Sequence, residues 1–231
     1  MIKDRIAQIL AKIAEICKRT GRDPKEITII GVTKYTTIDK MKEAIEGGIT
    51  DIGENRVQDV QVKFPVLDHA NLKYTKHFIG HLQTNKAKLA VQFFDVIQSV
   101  DSLHLANEIE RQAEKHNKDI IKILVQVNTS GEQHKSGVAK ADAANLIEEI
   151  AKLKRVRIAG LMTMAPLTED KEVVRQTFHD LKLIFDQVAR WHKGNEHVQM
   201  KHLSMGMSQD YTIAIEEGSN MIRIGTAIFG E

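Results

Sequence analysis

The sequence predicts an α/β fold, a single (β/α)8 barrel of the TIM type with an extra N-terminal helix. Eight short apolar segments alternate with amphipathic ones along the 231 residues, and no linker or change of composition divides them. Many of the apolar segments are rich in β-branched residues and lack strict polar alternation, as expected for parallel strands covered by helices. One domain is expected to span residues 1–231, and an open, doubly wound sheet is the structural alternative.

The elements are predicted in a regular order. Isoleucines at helical spacing predict a first helix over residues 2–19, with Gly21 as its C-cap. Each strand but the last is followed by a predicted helix, so the N-terminal helix can fill the remaining place around the barrel. The predicted strands are 27–33, 51–53, 77–80, 95–98, 120–127, 156–162, 200–203 and 220–224. The predicted helices after the first are 38–47, 55–63, 83–92, 102–116, 139–152, 170–191 and 208–217.

The composition excludes several classes of function. The net charge is +2 and no basic stripe interleaved with aromatic residues occurs, which argues against nucleic acid. No apolar run approaches the roughly 20 residues of a membrane span, and no signal-peptide core is present. Cys17 is the only cysteine, so a reducing, cytoplasmic location is expected. The ten histidines show no metal-ligand spacing, and no metal site is predicted.

Lys34 follows the first predicted strand, where barrel enzymes keep their chemistry. Partial desolvation at such a position favours a neutral amine, which is a nucleophile toward carbonyl groups. Strand alternation places Ile30, Val32 and Lys34 on one face, and it points Arg223 of the last strand toward the barrel mouth. Because the first and last strands are neighbours in a closed barrel, Lys34 and Arg223 are expected to meet.

Two glycine-bearing turns predict a phosphate site. Ser204 and Gly206 follow the seventh predicted strand, and Gly225 with Thr226 follows the eighth, which are the usual phosphate loops of this architecture. A phosphate held opposite a lysine suggests a phosphorylated carbonyl compound bound as a Schiff base. Two classes fit this arrangement, a Schiff-base aldolase acting on a sugar phosphate and a protein that binds pyridoxal 5′-phosphate (PLP).

Arg223 bears on the kind of chemistry that such a site supports. An arginine can only donate to an unprotonated pyridine nitrogen, so the ring would be a weak electron sink. Simple proton abstraction or plain storage is therefore favoured over deep carbanion chemistry.

The motifs together resemble the YggS/PROSC family of PLP-binding proteins, also called PLP homeostasis proteins. The resemblance implies PLP as the cofactor and the barrel of the N-terminal domain of alanine racemase. The matching segments are Gly31-Val32-Thr33-Lys34, Gly53-Glu54-Asn55-Arg56-Val57-Gln58, the run from His77 to Lys86, Val127-Asn128, Gly160-Leu161-Met162, the run from Leu203 to Ser208, and Arg223-Ile224-Gly225-Thr226.

The resemblance assigns eight residues to the cofactor site and none to catalysis. They are Lys34 for the Schiff base, Arg223 facing the pyridine nitrogen, Ser204, Gly225 and Thr226 at the phosphate, Asn55 beside the ring, and Met205 and His81 near the pocket wall.

The expected function is non-catalytic. Alanine racemases carry an additional β-domain that supplies a tyrosine as second base, whereas this chain ends at Glu231, directly after the last strand and turn. Tyr35 adjoins Lys34 but falls on the opposite side if the strand continues. The chain is thus expected to be a monomer that stores, buffers or delivers PLP, with apo forms of PLP-dependent enzymes as its partners. The alternative is a racemase-like enzyme with weak or unidentified activity. Lys135, in a polar loop, is either a second amine for PLP or a solvated lysine.

Overall fold

The computed structural model describes residues 1–132 and 136–230 and has nine strands and nine α-helices within them. Short 3-10 helices lie at Pro24–Glu26, Thr84–Lys86 and Lys140–Asp142. The strands are β1 (Thr28–Val32), β2 (Asp51–Glu54), β3 (Thr75–Phe78), β4 (Val96–Val100), β5 (Ile121–Asn128), β6 (Val138–Ala139), β7 (Val156–Met162), β8 (Val198–Met207) and β9 (Met221–Ile224). The helices are α1 (Ile2–Thr20), α2 (Ile38–Glu46), α3 (Val60–His69), α4 (Ala87–Phe93), α5 (Leu103–Lys115), α6 (Ala143–Ile150), α7 (Lys171–Trp191), α8 (Tyr211–Glu216) and α9 (Thr226–Phe229).

Eight of the strands close into a parallel barrel. Their order is β1–β2–β3–β4–β5–β7–β8–β9, and β9 pairs again with β1. The two-residue β6 pairs only with the end of β5 and lies outside the ring. The closed-barrel prediction is therefore confirmed. The parallel direction places the carboxyl ends of all eight strands at one mouth of the barrel.

Helix α1 occupies the place that the short last helix leaves in the outer ring. Its isoleucine stripe is buried, and it packs against α2, α8 and α9. Gly21 ends the helix in the left-handed conformation, with φ 69°, as the sequence predicts. The Nη1 of Arg5 donates to the carbonyl of Ile228 at 3.2 Å, which ties α1 to α9.

Helix α3 differs from its prediction. It begins at Val60, five residues later than expected, and it continues through Pro65 to His69. A proline inside a helix removes one backbone hydrogen bond and disfavours helix. Phe64 and Leu67 are both buried on the core side, and this packing outweighs the local cost of the proline.

Strand β8 is also longer than predicted, because it runs on through Ser204 and Met205 to Met207. Its pairing with β9 shifts by one residue between Ser204 and Met207. Gly206 lies at this bulge with φ 96°, and a Cβ there would approach Ala214 to 2.6 Å. Residues expected in a loop are therefore strand residues, with alternating sides.

The last strand is followed by a helix that the sequence did not indicate. Helix α9 spans only Thr226–Phe229 and ends at Gly230 in the left-handed conformation. Such a four-residue turn is too short for a hydrophobic period to be recognised.

The barrel separates two buried layers. The outer layer, between sheet and helices, is a large continuous apolar core that includes Phe64 and Phe178. The interior of the barrel holds a smaller apolar cluster, and polar side chains occupy much of the remaining space. That cluster consists of Ile30, Val96, Leu124, Ala159, Met162 and Met221.

Candidate functional site

Lys34 lies at the barrel mouth, just beyond the end of β1. The strand ends at Val32, and a turn follows in which the N–H of Thr36 donates to the carbonyl of Thr33 at 3.0 Å. The Lys34 side chain is exposed, and its Nζ lies 5.3 Å from the centre of the Tyr35 ring. The prediction that Tyr35 points away depended on a continuing strand. Because the turn ends the strand, the two side chains meet instead.

A buried ion pair holds the backbone just before Lys34. The Nζ of Lys63 on α3 donates to the carbonyl of Thr33 and to Oε1 of Glu54, each at 2.8 Å. The hydroxyl of Thr33 donates to the same Oε1 at 2.7 Å. Burial raises the pKa of Glu54, and the hydrogen bonds from Lys63 and Thr33 offset part of this effect. Lys63 was not singled out from the sequence, where it reads as a solvated helix residue.

Arg223 on β9 points into the barrel interior, as alternation predicts. It is 4% exposed, and its backbone is paired in register with Ile30 of β1. Its guanidinium donates to Oγ of Ser204 at 2.7 Å and to the carbonyl of Thr163 at 2.8 Å. Burial lowers the pKa of Arg223 to about 10 against the opposing effect of Asp210, so the side chain stays charged at neutral pH. No hydrogen bond joins Arg223 to Lys34 in the described part of the chain, so the expected meeting of the two side chains is not seen.

Ser204 and Met205 occupy opposite sides of β8. Ser204 is fully buried in the interior, where its hydroxyl donates to Oε1 of Gln98 at 2.7 Å and accepts from Arg223. Met205 is fully buried in the outer apolar core. The prediction that Met205 lies near the pocket wall therefore differs from the structure, because the strand continues and alternation turns this side chain outward.

The two predicted phosphate loops meet each other at the mouth. The backbone N–H of Ala227 points to Oγ of Ser208 at 3.5 Å, which joins the turn after β9 to the turn after β8. Gly225 precedes this turn and lies close to Val32 of β1. A Cβ added at Gly225 would lie 3.5 Å from the Val32 Cβ. Thr226 is exposed with its hydroxyl on the same turn. Gly225 and Thr226 therefore lie together at the junction of the two turns, which we call the cradle, and their role at a phosphate stays a prediction.

Ser208 belongs to this cradle although no role was assigned to it from the sequence. It lies inside the predicted glycine-bearing segment, four residues after Ser204. The extension of β8 determines which of the two hydroxyls lies at the turn after β9. Ser204 falls within the strand and faces the interior, whereas Ser208 is the hydroxyl that reaches the β9 turn.

Asn55 and His81 line one open cleft of about 170 Å3 after β2 and β3. A Cβ on Gly80 would overlap the carbonyl oxygen of Asn55, so only glycine allows this close approach. Within the described residues, the Oδ1 of Asn55 is buried and has no hydrogen-bond partner. Nδ1 of the exposed His81 lies 3.4 Å from Oγ of Ser136. A buried acceptor left unpaired at the mouth is a position where a ligand can supply the missing donor.

Two further observations bear on the predicted absences and on Lys135. No helix within residues 1–132 and 136–230 has the length and apolar composition of a membrane-spanning segment. The same residues contain no group of three His, Cys, Asp or Glu side chains arranged to hold a metal ion. Lys135 lies outside the described residues, so its proposed second amine stays a prediction.

The chain is similar along its whole length to proteins of one family. The family model described as alanine racemase, N-terminal domain, matches residues 6–231. A pyridoxal phosphate homeostasis protein of Aquifex aeolicus is 38% identical over 228 residues, which cover 99% of this chain and 97% of that protein. The protein of the same name from Escherichia coli K12 is 37% identical over 233 residues, covering 99% and 96% of the two chains.

A solved structure extends this similarity to three dimensions. PipY of Synechococcus elongatus, with PLP bound, superposes with a TM-score of 0.83 at 32% identity and covers 100% of both chains. The resemblance predicted from the strand-end motifs is confirmed by these matches. This chain therefore belongs to the alanine racemase N-terminal domain family, within the group of the pyridoxal phosphate homeostasis proteins.

Proposed function

We propose that this chain binds PLP through Lys34 and acts in PLP homeostasis by storing, buffering or delivering the cofactor. The observation that carries the proposal is the arrangement at one barrel mouth. The amine of Lys34 lies at the end of β1, the cradle of Ser208, Gly225 and Thr226 lies beside that strand, and Arg223 lies on the neighbouring β9. The PLP-bound relative PipY supports the choice of PLP over a sugar phosphate.

The donor set fits the parts of PLP. An exposed lysine amine condenses with an aldehyde with loss of one water, which gives a reversible covalent bond. The hydroxyls of Ser208 and Thr226, which lie where the turns after β8 and β9 meet, suit a phosphate dianion. Arg223, charged and fixed by two hydrogen bonds, suits the unprotonated ring nitrogen. Asn55 offers a buried acceptor near the ring, and His81 lies in the adjoining cleft.

The proposal assigns no catalytic residue. Racemisation by two bases needs a proton donor and acceptor on both faces of the substrate. Among the described residues, we assign Lys34 as the base that meets the cofactor and His81 only as a residue of the adjoining cleft. Tyr35 is 68% exposed and the centre of its ring lies 5.3 Å from the Lys34 amine, and we assign it no role as a second base. Holding PLP, rather than using it, is the function that these groups support.

Reductive trapping tests the covalent bond. Protein incubated with PLP should develop a visible absorbance band, and borohydride should then fix the label on the peptide that contains Lys34. Lys34→Ala should lose both the band and the label, while Lys88→Ala, at an exposed lysine of α4, should keep both. Uptake of PLP without labelling of Lys34, or no uptake at all, would exclude the proposal.

A turnover assay separates the carrier from the enzyme. The carrier reading predicts that L-alanine incubated with the loaded protein isomerises no faster than with free PLP. Faster isomerisation that disappears in Lys34→Ala would instead establish the racemase-like alternative.

A further inference from the structure

A run of hydrogen bonds crosses the barrel interior from Arg223 to Asp51. Arg223 donates to Ser204 at 2.7 Å, and Ser204 lies 2.7 Å from Oε1 of Gln98. Nε2 of Gln98 lies 3.0 Å from Nδ1 of His77, and Nε2 of His77 lies 2.8 Å from Oδ1 of Asp51. The five residues come from five strands, β9, β8, β4, β3 and β2. We call this run the interior chain.

The chemistry of its two ends gives the interior chain one direction. Arg223 can only donate, and ionised Asp51 can only accept. The Ser204 hydroxyl accepts a hydrogen bond from Arg223 and therefore donates its own proton to Oε1 of Gln98. The amide of Gln98 then presents its NH2 to His77, which must accept at Nδ1 and donate from Nε2 to Asp51. Every hydrogen bond of the interior chain has one donor and one acceptor only if His77 is neutral and carries its proton on Nε2.

The interior chain lies almost entirely out of contact with solvent. Arg223, Ser204, Gln98 and His77 are each 4% exposed or less, and Asp51 has a side chain that is 14% exposed. The apolar cluster of the interior flanks them, and Nε2 of Gln98 also contacts the sulfur of Met221 at 3.4 Å. In such a low-dielectric setting a hydrogen bond is strong when made and costly when left unmade.

We propose that Gln98 and His77 are positioning residues that fix Arg223 toward the cofactor through Ser204. The inference rests on the proposed function, in which Arg223 faces the ring of PLP. Neither residue is expected to touch the cofactor. Gln98 sets the direction of the Ser204 hydroxyl, so Ser204 offers Arg223 a lone pair rather than a proton. His77, held by Asp51 at the opposite end of the barrel, sets the orientation of the Gln98 amide.

Two substitutions at Gln98 distinguish a role in orienting hydrogen bonds from a role in packing alone. Gln98→Met keeps the length of the side chain but removes both hydrogen-bonding groups, so Ser204 and His77 lose their partner. Gln98→Glu keeps an acceptor for Ser204 and replaces the NH2 that faces His77 with a second acceptor. Its carboxylate is satisfied when His77 takes a second proton, on Nδ1. Gln112→Met, at a buried glutamine of α5 outside the barrel, is the matched control.

The first measurement uses the protein without added PLP. Nitrogen NMR of histidine-labelled protein, with the His77 signals identified from a His77→Asn variant, should show a neutral ring protonated on Nε2. Gln98→Glu should protonate both nitrogens of His77 at neutral pH. In Gln98→Met, exchange of the Arg223 side-chain N–H protons with solvent should accelerate about tenfold, the loss expected for one buried hydrogen bond. A His77 ring protonated on Nδ1 in the wild type, or an Arg223 exchange rate unmoved in Gln98→Met, would overturn the interior chain.

The second measurement uses PLP. Gln98→Met should weaken PLP binding about tenfold and shift the visible absorbance band, while Gln98→Glu stays nearer to wild type and Gln112→Met is unchanged. In an Arg223→Met background the Gln98→Met substitution should have no further effect, because the residue acts through Arg223. Additive losses in the double variant would show a general packing role and refute positioning. If the wild-type protein takes up no PLP, the proposed function fails, and the first measurement still decides whether the interior chain exists.

Discussion

Strand β2 carries a carboxylate at each end, and the half-buried Asp51 and the fully buried Glu54 differ in how completely they are hydrogen-bonded. Asp51, at the amino end, accepts from His77 at 2.8 Å and from the hydroxyl of Thr50 at 2.6 Å, so both its oxygens are paired. Glu54, at the carboxyl end, pairs only through Oε1, and its buried Oε2 has no hydrogen-bond partner within the described residues. The two residues lie on one four-residue strand, so the contrast reflects their ends of the barrel.

Their pKa values follow this contrast. Burial by itself raises the pKa of Asp51, but the hydrogen bonds from His77 and Thr50 outweigh it and lower the pKa. For Glu54 burial prevails, and the pKa is raised despite Lys63 and Thr33. The amino end of a barrel serves stability and the carboxyl end serves function, where incomplete pairing is tolerated. The difference teaches that burial alone does not predict the charge of a carboxylate.

Removing the partner of Glu54 should have the largest effect. Lys63→Met leaves the buried carboxylate uncompensated, and we expect the free energy of unfolding to fall by about 3 kcal/mol at pH 8. The loss should shrink at pH 5, because Glu54 with a raised pKa can take up a proton. Urea unfolding at the two pH values measures this. Lys152→Met is the control, since its ion pair with Glu149 has side chains 66% and 41% exposed and should contribute less than about 1 kcal/mol. An equal loss at both pH values would contradict the assignment.

Removing the charge of Asp51 should have a smaller effect with a defined pH dependence. Asp51→Asn should lower the free energy of unfolding by about 1–2 kcal/mol at pH 6, through the weakened bond to His77. Because the folded pKa is lowered, this contribution is present above the unfolded pKa of about 4 and is lost as the pH falls through the folded value. Unfolding at pH 6 and pH 3 checks the trend, with Asp4→Asn, whose side chain is 80% exposed, as control. A difference that grows toward pH 3 would be incompatible with a lowered pKa.

Glu54→Gln should show the smallest effect and the opposite slope. A raised folded pKa gives a contribution that is present below the unfolded pKa and is lost as the pH rises through the folded value. The wild type should therefore lose stability relative to Glu54→Gln, by about 1 kcal/mol, as the pH rises above about 4. Thermal unfolding of both proteins across this range makes the comparison. If Glu54 and Asp51 show slopes of the same sign, the contrast between the two ends of β2 is wrong.

Much of the fold follows from the sequence because its signals are local. Strands are indicated by short runs of β-branched residues. Helix α1 is indicated by its isoleucine stripe, and its end by Gly21, and each of these signals spans only a few residues. The helix through Pro65 could not be predicted, because its stability comes from the burial of Phe64 and Leu67 against distant elements. The extension of β8 could not be predicted for a similar reason, because the bulge at Gly206 is defined by the pairing of β8 with β9, which is distant along the chain.

The sequence indicates which residue types lie at the candidate site, but it indicates less well which of them form hydrogen bonds with one another. The inward direction of Arg223 follows from strand alternation, whereas Lys34 lies in a turn beyond the end of β1, where alternation no longer applies. The exchange of Ser204 for Ser208 as the hydroxyl at the cradle depends on where β8 stops, which the sequence does not mark. Neither Gln98 nor His77 stands out in the sequence, because β4 and β3 contain other polar residues, and their mutual contact requires the closed barrel.

The pairing of β1 with β9 sets a condition on biosynthesis. The strand before Lys34 is translated well before its neighbour β9, which is the last strand of the described residues. Contacts so distant along the chain carry a large loop-closure entropy and form slowly. Neither the junction of the β8 and β9 turns nor the Arg223 end of the interior chain can be assembled before β9 has been translated. A nascent chain stalled before Met221 should thus expose an unpaired edge on β1, where chaperones or aggregation compete with folding.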